Sequence, residues 1–115
     1  MRRGAIRLVD LEPVRGAEAD KQRPAVIVSN DGANSTAQRL GRGVITVVPV
    51  TSNTDRVYPF QVLLPASATG LSVDSKVQPE QVRSIAVERL GRRLGALSAE
   101  LQTDLDEALR LHLAL

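Results

Sequence analysis

The sequence predicts a mainly β (α+β) domain, a strongly bent sheet or small barrel closed by one C-terminal helix. Three observations carry this. Short β-branched apolar runs at 24–29 and 44–50 are bounded by turn-forming clusters. Aromatics are only 2% of 115 residues, so the core has to be built from Val, Leu, Ile and Ala. After residue 98 the apolar period changes from that of strands to that of a helix.

Residues 5–11 alternate imperfectly and read as a first strand. Residues 12–21, with Pro13, Gly16 and several charges, read as a loop. The run 24–29 predicts a buried second strand. The cluster Asn30-Asp31-Gly32-Ala33-Asn34-Ser35-Thr36 is turn chemistry, and Arg39-Leu40-Gly41-Arg42-Gly43 extends it as a flexible basic loop. Residues 44–50 form the clearest strand, with Pro49 implying an edge or bulge near its end. A polar loop at 51–57 precedes a strand at 58–64, and 65–74 is loop again. One or two short strands are expected in 76–87, interrupted at Pro79, and 89–97 reads as a strand with two glycines. Ser98 can then cap a helix with Glu100 in its first turn. Leu101, Leu105, Ala108, Leu109 and His112 fall on one face of that helix. Without a linker or low-complexity segment, 1–115 reads as a single domain, long enough to bury a core.

The composition narrows the chemistry. With no Cys there is no disulfide, thiolate nucleophile or Cys zinc site, and a single His leaves no His-cluster metal centre. No metal and no cofactor are expected. The formal net charge is only +2, but every basic residue except Lys21 and Lys76 is Arg, the better partner for phosphate and base edges. The basic start Met1-Arg2-Arg3 is not followed by a signal-peptide apolar core, because Arg7 and Asp10 interrupt it. Nothing reaches membrane-spanning length. A soluble, cytoplasmic protein is expected, with no membrane partner.

Few residues remain for chemistry. Arg23 precedes Pro24, which pushes its backbone toward the extended region and fixes the face its guanidinium points to. That planar, permanently charged fork suits a phosphate, although an ordinary surface Arg fits the same position. Glu18 lies five residues earlier and can pair with Arg23 as a surface ion pair or shuttle a proton beside it. Thr51, Ser52 and Thr54 follow the best strand, where a hydroxyl can donate to phosphate or simply make a turn. His112 suits packing or a helix end. Asp104, Asp106 and Glu107 read as a solvated acidic face.

Together these segments resemble the MazF/PemK-type toxins of bacterial toxin–antitoxin pairs. The opening Arg3-Gly4-Ala5-Ile6-Arg7-Leu8-Val9-Asp10-Leu11-Glu12-Pro13 is similar to the family's first strand. Gly16-x-Glu18 followed by Arg23-Pro24-Ala25-Val26-Ile27-Val28-Ser29 resembles its most recognisable block, with Ala19 where Gln often stands. Val48-Pro49-Val50-Thr51-Ser52, Tyr58-Pro59-Phe60-Gln61-Val62, and Glu80-Gln81-Val82-Arg83-Ser84-Ile85 follow in the family's order, before Arg89-Leu90 and the last helix.

The resemblance implies an SH3-like barrel with a C-terminal helix, working as a homodimer. It implies a metal-independent endoribonuclease that cuts single-stranded RNA at a short sequence, held in check by a cognate MazE-type antitoxin whose extended segment fills the RNA groove. By position it makes Arg23 and Thr51 the catalytic pair and Glu18 an assisting acid or base. Ser52, Asn53, Glu80 and Gln81 would contact RNA. Two rival functions share such a fold: a non-catalytic nucleic-acid-binding module, and a toxin that poisons DNA gyrase. The second relies on an aromatic C-terminal end, whereas this chain ends Leu111-His112-Leu113-Ala114-Leu115 and has no Trp.

Overall fold

The computed structural model describes residues 1–11 and 22–115. Its strands are β1 (Ala5–Asp10), β2 (Gln22–Ile27), β3 (Val44–Thr51), β4 (Val62–Leu64), β5 (Ser75–Val77), β6 (Arg83–Ala86) and β7 (Leu90–Ala96). Its helices are α1 (Asp31–Leu40), the short α2 (Ala66–Thr69) and α3 (Ala99–Leu113). The described strands form one antiparallel sheet in the order β4-β5-β3-β2-β1-β7, with β6 also pairing to β3. The architecture is mainly β, bent toward a half-barrel, with the expected C-terminal helix.

The sheet is covered on both faces. Ala5, Val9, Leu11, Ala25, Ile27, Ile45, Val47 and Ile85 form one apolar layer with Ala37 of α1. Ile6, Val26, Val48, Val50, Val62, Leu64 and Val77 form the other with Leu105 and Ala108 of α3. Successive residues of β2 and β3 therefore both enter a core. That is why these strands read as continuous apolar runs rather than an alternation.

Three elements differ from the sequence expectation. Residues 31–40 are a helix, not a turn and loop. The turn-type residues serve as its caps: Asn30 Oδ1 accepts from Ala33 N at 2.8 Å, and Gly41 ends it at φ 66 in the left-handed region. Asn34 is fully buried and tied to Ser29, whose Oγ in turn accepts from Thr46 N at 3.1 Å. The fourth strand begins only at Val62, because Tyr58–Gln61 is a turn closed by Gln61 N to Tyr58 O at 2.8 Å, and Pro59 has no N–H for a ladder. Residues 66–69 form the short α2 inside the expected loop.

Pro49 is neither at an edge nor in a bulge. It pairs with Ala25 of β2 at the point where the opposite side of β3 changes partner from β6 to β5. Its carbonyl accepts from Gln78 N at 2.9 Å, and a missing N–H is tolerated at such a gap.

The helix predicted from Ser98 is present, with Ser98 Oγ accepting from Leu101 N at 3.2 Å. Leu105 and Ala108 are its buried residues, and exposed His112 rests near Phe60, ring centroids 6.2 Å apart. Its acidic run is not purely solvated: Asp106 meets Arg3 Nη2 at 2.8 Å and anchors α3 to the N-terminal segment.

Candidate nucleic-acid interface and active groove

β2 and β3 run side by side, so the entrance of one lies near the exit of the other. This brings Arg23, at the second position of β2, and Thr51, the last residue of β3, to one end of the sheet. Both side chains line two adjoining grooves. The first, about 390 Å³, is lined by Arg23, Thr51, Ser52, Leu71, Ser75 and Arg92, among others. The second, about 310 Å³, adds Leu11, Gln78, Gln81 and Arg83. Val50 and Thr51, shared with Arg23 by both, mark where they meet.

Among the described residues the lining of these grooves holds three arginines and no carboxylate. Arg23 is exposed and its guanidinium has no hydrogen-bond partner among them. Low-dielectric walls lined by one sign of charge concentrate an anion there. Thr51 is half-buried, and its Oγ1 accepts from Asn53 N at 3.2 Å, which fixes the hydroxyl at the lip while leaving its proton free to donate. Asn53 Oδ1 accepts from Asp55 N at 3.2 Å and holds the following turn. The arrangement offers positive charge and a hydroxyl donor along the same grooves, as stabilisation of a phosphoryl anion requires.

The structure thus gathers Arg23, Thr51, Ser52 and Gln81 around the grooves. Asn53 sits one turn beyond and acts on Thr51. Glu80 is turned elsewhere: its Oε2 accepts from Gln61 Nε2 at 2.6 Å, and its Oε1 is buried without a partner among the described residues. Glu18 lies outside the described residues. Sequence reasoning missed Arg83 and Arg92. The available signal was parity: Arg92-Arg93 are adjacent in a strand, so one must face the side occupied by the groove. Among the described residues no group of three or more His, Cys, Asp or Glu could hold a metal ion, and no helix is long and apolar enough to cross a membrane.

Comparison with known proteins shows the family of the chain. The family model of the PemK-like, MazF-like toxins of type II toxin–antitoxin systems matches residues 2–113. The chain belongs to this family. Among its MazF relatives, the endoribonuclease MazF9 of Mycobacterium tuberculosis is 69% identical, covering 100% of this chain and 98% of its own. The M. tuberculosis toxin MazF-mt6 superposes with a TM-score of 0.76 at 27% identity, covering 96% of this chain and 97% of its own. A MazE–MazF crystal structure from Deinococcus radiodurans matches with a TM-score of 0.78 at 26% identity, over 100% of this chain and 96% of that one. The bent sheet with its C-terminal helix is therefore the MazF toxin fold.

Proposed function

We propose that this toxin is a metal-independent endoribonuclease that cuts single-stranded RNA, with mRNA, rRNA and tRNA as candidate targets, at a short sequence and so arrests translation and growth. The observation that carries the reading is the convergence of Arg23 and Thr51 on two joined grooves whose described lining is cationic. The family and the name of the 69% identical relative support it.

The reaction is intramolecular transesterification. The ribose 2′-oxygen bonds to the adjacent phosphorus while the bond from phosphorus to the 5′-oxygen breaks. A base takes the 2′-OH proton, and the departing 5′-oxygen gains one. The nucleophile is already next to its target, so the protein's task is orientation and charge stabilisation. Arg23 offers its fork to the non-bridging oxygens, and Thr51 donates a hydrogen bond to them. Glu18 is the proposed acid or base. Ser52, Asn53 and Gln81 are proposed to contact the flanking nucleotides, Asn53 also holding Thr51, while Glu80 is taken up by Gln61. The products are a 2′,3′-cyclic phosphate and a 5′-hydroxyl.

The proposed working unit is a cytoplasmic homodimer, controlled by a MazE-type antitoxin whose acidic extended segment competes for the arginines of the groove. The test is incubation of purified protein with a mixed RNA pool in EDTA, followed by mapping of the released 5′ ends. The expected result is a short common sequence at 5′-hydroxyl ends, lost in Arg23→Ala. RNA binding without cleavage under all conditions contradicts it and leaves a binding module.

A further inference from the structure

β7 is the last strand of the sheet, and its consecutive Arg92 and Arg93 diverge. Arg92 lines the active groove, whereas Arg93 lines a separate cleft of about 290 Å³ together with Arg2, Arg3 and Arg7. Arg93 stands directly opposite Arg7 in the β1–β7 ladder. Like charges at such a pair destabilise a sheet, and no carboxylate lines this cleft among the described residues.

Two of the four guanidinium groups are partly engaged. Arg3 donates from Nε to Val28 O at 2.9 Å and from Nη2 to Asp106 at 2.8 Å. Arg7 Nε donates to Gly91 O at 2.7 Å. Arg2 and Arg93 are exposed and have no side-chain hydrogen bond among the described residues. Two acids lie nearby: Asp106 pairs with the Arg3 guanidinium, and Asp31 is held below the usual carboxylate range, chiefly because it accepts from the Arg3 backbone N–H. The Met1 amino group, also at the cleft, donates to Gln38 Oε1 at 2.9 Å.

We propose that this cleft is a second phosphate-binding site, which takes the backbone of an RNA segment flanking the one in the Arg23–Thr51 grooves; the inference rests on the ribonuclease reading above. Forked donors of which only Arg3 meets a carboxylate match phosphodiester oxygens. The edge of β7 links the two sites through adjacent residues, so one strand of RNA can pass from Arg92 to Arg93. Among the described residues the apolar lining is Met1, Ala5, Ala96 and Leu97, with no aromatic anchor of the kind a peptide partner needs.

The experiment compares wild type, Arg2→Gln/Arg93→Gln and Arg93→Lys on two RNAs that share one mapped cleavage site. One spans about six nucleotides and the other about thirty, and binding is read as a function of salt. Each single-strand phosphate contact contributes about 0.7 to the slope of log K against log salt. The double variant should therefore bind the long RNA with a slope shallower by about 1.4 and an affinity lower by about tenfold near 0.15 M salt. Cleavage of the short RNA should be unchanged, and Arg93→Lys should retain most of the slope. Unchanged affinity and slope on the long RNA overturn the proposal. So does an equal loss on the short RNA, or an effect confined to binding of an acidic antitoxin segment. If wild type cuts neither RNA, the ribonuclease reading itself fails and this inference falls with it.

Discussion

Local chemistry placed Arg23 and Thr51 at strand ends, but only the family resemblance makes them the proposed catalytic pair. Pro24 restricts the backbone of Arg23, and Thr51 ends the clearest strand. Removing one preorganised charge stabiliser costs about a hundred- to a thousandfold in rate. We predict losses of that size for Arg23→Ala and for Thr51→Ala, with unchanged circular dichroism. Near-normal cleavage by both folded variants would remove the assignment. Arg92 and Arg83 were not legible as site residues, because their approach to Arg23 depends on strand order rather than sequence spacing. Arg92→Ala is expected to raise KM more than it lowers kcat, as measured by initial rates across RNA concentration. At the same scale Asp106 ties α3 to the N-terminus. Burial opposes its ionisation, but hydrogen bonds from Arg3 and Gln102, aided by the charges of Arg3 and Arg110, outweigh burial and hold its carboxyl below the usual range. A depressed carboxyl contributes stability above its unfolded pKa and loses it as pH falls through the folded value. Asp106→Asn should therefore narrow the gap between Tm at neutral pH and Tm below about pH 4. An undiminished gap contradicts this.

At the scale of elements, most strands and the last helix were readable because period and capping agree. The Ser98 cap and the register of Leu105 and Ala108 gave α3 directly. α1 was hidden because Asn30, Asp31 and Gly32 favour turns as strongly as helix starts. Only Asn34 and Ala37 of that helix are buried, so its apolar signal is faint. What forms it is a tertiary demand: the layer containing Val9, Ile27 and Ile45 needs a cover. Asn30→Ala removes the side-chain cap and should destabilise the protein by about 1 kcal/mol in urea unfolding. Likewise invisible in sequence was the contact of β7 with α2. A Cβ on Gly95 would lie 1.9 Å from the carbonyl oxygen of Thr69, too close without a shift of the backbone. Gly95→Ala should cost about 1–3 kcal/mol, the range for forced overpacking. A neutral effect by chemical denaturation would show that α2 yields freely.

Across the whole molecule, the sheet order joins strand ends that are distant in sequence into one cationic end. β2 and β3 pair through Ala25–Pro49 to Ile27–Val47, and β7 closes the other flank beside β1. The near-neutral net charge of +2 conceals this distribution, since carboxylates are absent from the described lining of both grooves. With one His and no Cys in the chain, an attacking group already present in RNA is the economical route to cleavage. The decisive measurement is a single 2′-deoxy substitution in an RNA oligonucleotide, placed at the nucleotide 5′ to the mapped scissile bond. The account predicts that cleavage at that bond stops while binding remains within a few-fold of the all-ribose RNA. Continued cutting of the substituted RNA at the same bond would contradict it.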